Sequence, residues 1–180
     1  MMNTLATVAD ADTYNQLSIK RLIRTLSLSQ GDFTLILAHC NYRELQASIV
    51  QMLRERCGLA IAEMTLTCHE QTLFSAAQRS LAQGPHPEAL MVFGMNRLTN
   101  LDQVLKATNL VRDEFRKQFP FPVVLWVNND VLRQMIRLAP EFQNWSTTMD
   151  FQLATSQVLA ALNDRDASLF NSLLQEGGGQ

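Results

Sequence analysis

The chain has 180 residues, 47% of them hydrophobic and 18% charged, with a formal charge of −2; that is enough for one well-buried domain and too little for two full ones. The near-neutral balance argues against nucleic acid, whose recognition favours a basic stripe. No apolar run approaches the roughly 18 residues of a membrane span, and the polar start, with Asp10 and Asp12, is no secretory signal, so a cytoplasmic protein is expected.

Met1 to about Asn15 shows no periodicity, and residues 1–16 are expected to be mobile. Leu17 to Leu28 sets Leu17, Leu22, Ile23 and Leu26 against Lys20, Arg21 and Arg24, the pattern of a short amphipathic helix with a wet basic face. Gly31 stands where a C-terminal cap is needed. Apolar runs follow at Thr34–His39, Leu59–Leu66, Ala89–Phe93, Val123–Val127 and Met149–Leu153. The first, third and fourth are continuously apolar, as strands covered on both faces are; the last alternates, as an edge strand does.

Helical patterns separate these runs. Tyr42–Arg56 carries Leu45, Ile49, Met52 and Leu53 on one side, with Asn41 placed to cap it and Glu44 to reach back. Gln71–Ala82 precedes Gly84-Pro85. Leu101–Phe119 reads as one helix along Leu101, Val104, Leu105, Thr108, Val111 and Phe115, ended by Pro120 and Pro122. Asp130–Leu138 is stopped by Pro140, with Arg133 and Arg137 on a face opposite Leu132, Met135 and Ile136. The alternation predicts βαβ units: a single three-layer α/β/α domain over residues 17–175, with about five mostly parallel strands, Rossmann-like or P-loop-NTPase-like. Short helices over Ala154–Leu162 and Asp166–Leu174 would close it. The glycine-rich 176–180 has the composition of a linker or a frayed end.

In such a sheet ligands bind beyond the carboxyl ends of the strands. After the first strand comes Cys40-Asn41-Tyr42-Arg43, without glycine or lysine and too short to curl backbone amides around a polyphosphate. What survives is a bare helix N-terminus with Arg43 beside it. After the third strand, Phe93-Gly94-Met95-Asn96-Arg97 lacks the aspartate that a magnesium-dependent hydrolase needs, and Gly94 reads as a turn residue. The fourth strand ends in Asn128-Asn129-Asp130, where Asn128 is placed to sense a phosphate and Asp130 to cap the next helix. Arg133 and Arg137 suit a phosphate or a partner's carboxylate. His39, His69 and His86 assemble no site by spacing. Cys40, Cys57 and Cys68 show no Cys-x-x-Cys pairing and read as reduced thiols, so no metal is expected.

Two stretches carry a family resemblance: Leu22 to Ala38, and Val124-Leu125-Trp126-Val127-Asn128 continuing through Arg137-Leu138-Ala139-Pro140-Glu141-Phe142 to Trp145. From about Leu22 to Leu153 the chain resembles a divergent P-loop-type domain at the N-terminus of bacterial, notably cyanobacterial, multidomain proteins, often ahead of tetratricopeptide repeats. The resemblance implies kinship with signal-transducing NTPases, in which nucleotide state governs assembly. The chain departs from that pattern where hydrolysis would occur, at Arg43 and after Phe93.

The expectation is therefore a non-catalytic regulatory or assembly module with no cofactor. It would bind a protein, another domain of its own chain or a further copy of itself through Arg133, Arg137, Lys20 and Arg24. The alternative is a sensor holding a nucleotide or other anion weakly at Asn41, Tyr42, Arg43, Asn128 and Arg133. A phosphoacceptor receiver would need an acidic cluster at the strand ends, and the sequence has none there.

Overall fold

The computed structural model describes residues 2–82 and 84–153. In chain order the elements are α1 (Met2–Leu28), β1 (Thr34–His39), α2 (Arg43–Arg56), β2 (Ile61–Thr65), α3 (Leu73–Leu81) and β3 (Ala89–Phe93). A 3-10 turn (Met95–Arg97) follows, then α4 (Leu101–Leu110), α5 (Arg112–Gln118), β4 (Pro122–Val127), α6 (Asn129–Leu138), α7 (Pro140–Asn144) and β5 (Ser146–Asp150). Leu17–Phe151 forms one compact unit.

Within it the 5-stranded sheet has the order β2-β3-β4-β1-β5, and every pairing is parallel. The layers follow from that order. The connection from β1 to β2 runs toward one edge of the sheet, while those from β2 to β3, β3 to β4 and β4 to β5 run the other way. Right-handed crossovers then place α2 on one face and α3 to α7 on the other. The core divides accordingly. Ile19, Leu22 and Leu26 of α1, with Ile49, Val50 and Leu53 of α2, pack on Ile36, Ala38, Met91, Val124 and Trp126. The opposite face buries Leu35, Leu37, Leu90, Val123 and Leu125 under α3, α4, α5, α6 and α7. This is a generic Rossmann-like three-layer α/β/α architecture.

The strands at the middle of the sheet are buried on both faces, as their unbroken apolar runs predict: β4 is buried throughout, and β1 everywhere except its ends. β5 lies at an edge with an alternating pattern. It starts at Ser146, earlier than expected, because a short helix with Pro140 in its first turn ends at Trp145 and hands the chain straight into the sheet.

Three other readings need correction. First, the helix expected over Leu17–Leu28 begins at Met2; no glycine or proline interrupts residues 1–30. Second, Leu101–Phe119 is two helices, parted at Val111 with φ −103° and ψ 16°. Just before the break, the Asn109 side chain donates to Glu141, and its Oδ1 accepts from the Phe142 N–H at 3.0 Å. The break lets α5 turn Phe115 inward, against the rings of Phe33, Phe74, Phe119 and Phe142. Third, α6 buries Val131 and Met135, while Ile136 is 54% exposed and shares the outward side with Arg133 and Arg137.

The described part of a second unit comprises residues 2–16 and 152–153. In it Asn15 Nδ2 donates to the Gln152 carbonyl at 2.8 Å, and the Gln152 N–H donates to Asn15 Oδ1 at 2.9 Å. The helices expected over Ala154–Leu162 and Asp166–Leu174, and the 176–180 tail, lie outside the described residues. Among the described residues no helix is long and apolar enough to cross a membrane.

Candidate functional site

β1 and β4 are neighbours, yet the chain leaves β1 for α2 on one face and β4 for α6 on the other. Adjacent strands that diverge in this way open a crevice at their carboxyl ends. A cleft of about 400 Å³ lies at this point, on the α2 side, lined in part by Asn41, Arg43, Arg97, Trp126 and Asn128.

Three residues join β1 to α2. Tyr42 takes the N-cap position and its side chain makes no capping hydrogen bond, so the expected Asn41–Glu44 capping box is absent. Asn41 sits one residue too early to cap α2. Its Oδ1 instead accepts the Asn129 N–H of α6 at 2.9 Å, supplying one of the acceptors that a helix start lacks. Asn128, not Asp130, caps α6, its Oδ1 accepting the Val131 N–H at 2.9 Å. Asp130 in the first turn pairs with Arg133 instead.

His39, read from sequence as a lone strand histidine, is tied on both sides. Its Nδ1 lies 2.7 Å from Asp150 Oδ1 and its Nε2 lies 2.7 Å from Asn129 Oδ1. The parallel register makes the first contact inevitable, since His39 and Asp150 are cross-strand partners. The ends of β1, β5 and α6 are thus stitched together by side chains.

On the other side of the cleft, Gly94 follows β3 with φ +86°, and a Cβ there would stand 3.0 Å from the Leu66 carbonyl oxygen. Arg97, three residues further on, lines the cleft. That turn is braced from below: Thr99 donates through N–H (3.2 Å) and Oγ1 (2.8 Å) to the Cys68 carbonyl, and Asn100 Nδ2 donates to the Glu70 carbonyl at 3.0 Å.

The charge of the lining is uneven. Arg54 is engaged by Glu63 in a two-pronged contact, Nε to Oε1 at 2.7 Å and Nη2 to Oε2 at 2.6 Å, and this pairing raises the Arg54 pKa further. Arg43 and Arg97 are exposed and, among the described residues, their side chains have no ion-pair or hydrogen-bond partner. The indole N–H of Trp126, a residue only 4% exposed, is buried without an acceptor.

Of the expected site residues, Asn41, Arg43 and Asn128 therefore come together at the cleft. Tyr42 stands beside it at the N-cap of α2. Arg133 and Arg137 lie apart on the outer side of α6, and Lys20 and Arg24 are exposed on α1. Sequence reasoning missed Arg97, Trp126 and the Arg54–Glu63 pair. Arg97 carried a signal, a cation just past a strand-ending glycine; Trp126 carried none inside an apolar strand. Among the described residues no group of three or more His, Cys, Asp or Glu could hold a metal ion. Compared with known proteins, the chain matches no family model and no curated protein.

Proposed function

We propose that this chain is a non-catalytic, P-loop-like regulatory or assembly module that works by binding another protein or another domain of its own chain. The observation that carries this reading is the outward stripe of α6. Ile136 and Arg137 lie three and four residues beyond Arg133, so each neighbours it on the outer side of the helix, and Ile136 is 54% exposed beside Arg133. Arginine is among the residues enriched at the energetic centres of protein interfaces. Arg137 is free among the described residues to meet a partner's carboxylate, and Arg133 is held only by the exposed Asp130.

The bracing of the strand ends also supports a binding role over turnover. Asn41 and His39 spend hydrogen bonds on holding the end of β1 to α6 and β5, and Asn128 spends its side-chain oxygen on capping α6. A polyphosphate would need several backbone amides converging on it, and the three-residue turn after β1 is too short for such a cradle. In a bacterial multidomain protein the module would sit in the cytoplasm beside its partner domains.

The test replaces Arg133, Ile136 and Arg137 together by alanine. All three are exposed, so folding should survive. Affinity capture and gel filtration should then show loss of partner capture or a changed assembly state. Unchanged capture and elution would overturn the proposal.

A further inference from the structure

We propose that His39 is a proton-operated clasp at the carboxyl end of the sheet, in which gain or loss of the Nε2 proton reverses the hydrogen bond to Asn129. This goes beyond the α6 reading and uses neither Ile136 nor the two arginines, so either can fail without the other.

Geometry carries the inference. Along β1, Leu35 and Leu37 point to the α6 side of the sheet and Ile36 and Ala38 to the α2 side, so alternation turns His39 toward α6. There both ring nitrogens meet a side-chain oxygen, Nδ1 that of Asp150 and Nε2 that of Asn129, each at 2.7 Å. A neutral imidazole has one donor and one acceptor, and only the imidazolium donates from both nitrogens. Two oxygens at hydrogen-bond distance therefore define the charged state of the clasp, with one bond to β5 and one to α6.

The neutral state needs a single change. A ring nitrogen without its proton would set a lone pair against an oxygen. An ionised carboxylate only accepts, so Nδ1 keeps its proton toward Asp150. Asn129 has an alternative: half a turn of its amide brings Nδ2 to Nε2, and the bond then runs from amide to ring. The turn breaks no other bond, since the Asn129 side chain has no further hydrogen-bond partner among the described residues. Its main chain is held meanwhile by the bond from the Asn129 N–H to Asn41 Oδ1 at 2.9 Å. Asn129 is exposed, which gives the Nε2 proton a way to solvent water.

Asp150 is the one charged group that the ring bonds among the described residues. On β4 the register partner of His39 is the uncharged Val127. On α6, Asn129 is followed by Asp130, which is paired with Arg133. Arg43, beyond the turn after β1, lines the cleft on the α2 side. The proton also decides what the exposed amide leaves for water or a partner. With the ring charged, both Asn129 side-chain N–H groups are free; with the ring neutral, its oxygen and one N–H are.

The experiment reads the imidazole nitrogens of the three histidines by long-range proton–nitrogen correlation NMR on the full chain, from pH about 5 to 9. His39→Gln assigns His39, and the exposed His69 and His86 serve as internal references. His39 should lose its Nε2 proton and keep that on Nδ1, the tautomer being set by the bond that the other nitrogen makes. The Asn129 side-chain NH2 signals, identified by their absence in Asn129→Ala, should shift with the same midpoint. A nitrogen–nitrogen coupling across the bond from Asn129 Nδ2 to His39 Nε2 should appear only when the ring is neutral. Asp150→Ala should abolish the preference for Nδ1–H, with an otherwise unchanged amide spectrum showing the variant folded; if it does not fold, the parent's tautomer and coupling decide. A ring that keeps one charge state over this range, or a neutral ring protonated on Nε2, overturns the proposal. So does the absence of the coupling at high pH, Asn129 signals that still titrate in His39→Gln, or an Nδ1–H preference surviving in folded Asp150→Ala.

Discussion

Asn41 and Asn129 are 88 residues apart in the chain and joined by a hydrogen bond of 2.9 Å, from the Asn129 backbone N–H to Asn41 Oδ1. The bond fastens the end of β1 to the start of α6, across the point where the chain diverges to opposite faces. Because the pair is exposed, water replaces part of what a mutation removes. Asn41→Ala should cost about 0.5–1 kcal/mol in urea denaturation, and Asn41→Asp, which keeps the acceptor, should recover most of it. Asn128→Ala removes a true N-cap and should cost more, about 1 kcal/mol or above. Equal stability of the Asn41→Ala and parent proteins would show that the bond contributes nothing.

Gly94 and Gly58 should respond oppositely to alanine. At Gly94 the backbone has φ +86° and a Cβ would meet the Leu66 carbonyl oxygen at 3.0 Å, backbone that cannot swing aside. Strain from the left-handed conformation and from the contact should together destabilise Gly94→Ala by about 1–3 kcal/mol. At Gly58 a Cβ meets nothing within 4 Å and φ is not positive, so Gly58→Ala should be neutral or stabilising by up to about 1 kcal/mol through the unfolded chain. Denaturant midpoints of the pair give the comparison, and a harmless Gly94→Ala would mean that the β3 turn can relax.

Glu70 is the group through which acid should loosen the loops beneath the cleft. Burial alone would raise its pKa. Hydrogen bonds from Thr67, at 2.9 Å, and from Arg79, with the Arg79 charge, outweigh burial and hold it below the ordinary carboxylate range. A depressed folded pKa means stability that is fully present above the unfolded value, about 4.3, and lost as pH falls through the lower folded value. Arg79 is 62% exposed while Glu70 is 13% exposed, so screening keeps the pair's share below about 1 kcal/mol. Glu70→Gln should lower stability at neutral pH and flatten its decline below pH ~4.5, read from denaturation midpoints at stepped pH. Parallel pH curves for the two proteins would rule Glu70 out as the acid-sensitive group.

What could be read from sequence depended on whether a residue's partner lies near it in the chain. β1 and β3 match their expected limits, since their interiors are unbroken apolar runs buried on both faces. β5 was harder: at an edge, Ser146, Thr147 and Thr148 are compatible with a strand but give no apolar run. The α4–α5 break at Val111 has no glycine or proline to announce it, and the Asn109 side chain beside it bonds to Glu141 and Phe142, more than thirty residues away. Helical period alone placed Ile136 inward with Met135, but α6 meets the sheet along Val131 and Met135, which rotates Ile136 out. The short β1–α2 turn and the cleft residues Asn41, Arg43 and Asn128 were legible because strand ends mark the site in any parallel sheet. Trp126 was not, because its unfilled hydrogen bond exists only once Phe93 and Phe151 clamp the ring.

The three cysteines should separate cleanly by reactivity. Cys40 and Cys57 are buried and Cys68 is exposed, all as free thiols. Burial pushes the Cys40 thiol up, only partly offset by hydrogen bonding to the backbone of Tyr42 and Gln46. Cys57 is raised chiefly by burial as well, against a hydrogen bond to the Leu59 backbone. The thiolate is the nucleophile, so a raised pKa means less of it at any given pH, and burial also blocks approach. In native buffer near pH ~8, a disulfide reagent such as dithionitrobenzoate should titrate one thiol quickly. Cys68→Ser should abolish that phase, and the other two thiols should react only as denaturant unfolds the core around Cys40 and Cys57. If Cys40 reacts as fast as Cys68 in the native protein, the floor of the switch-point cleft is open to small anionic reagents.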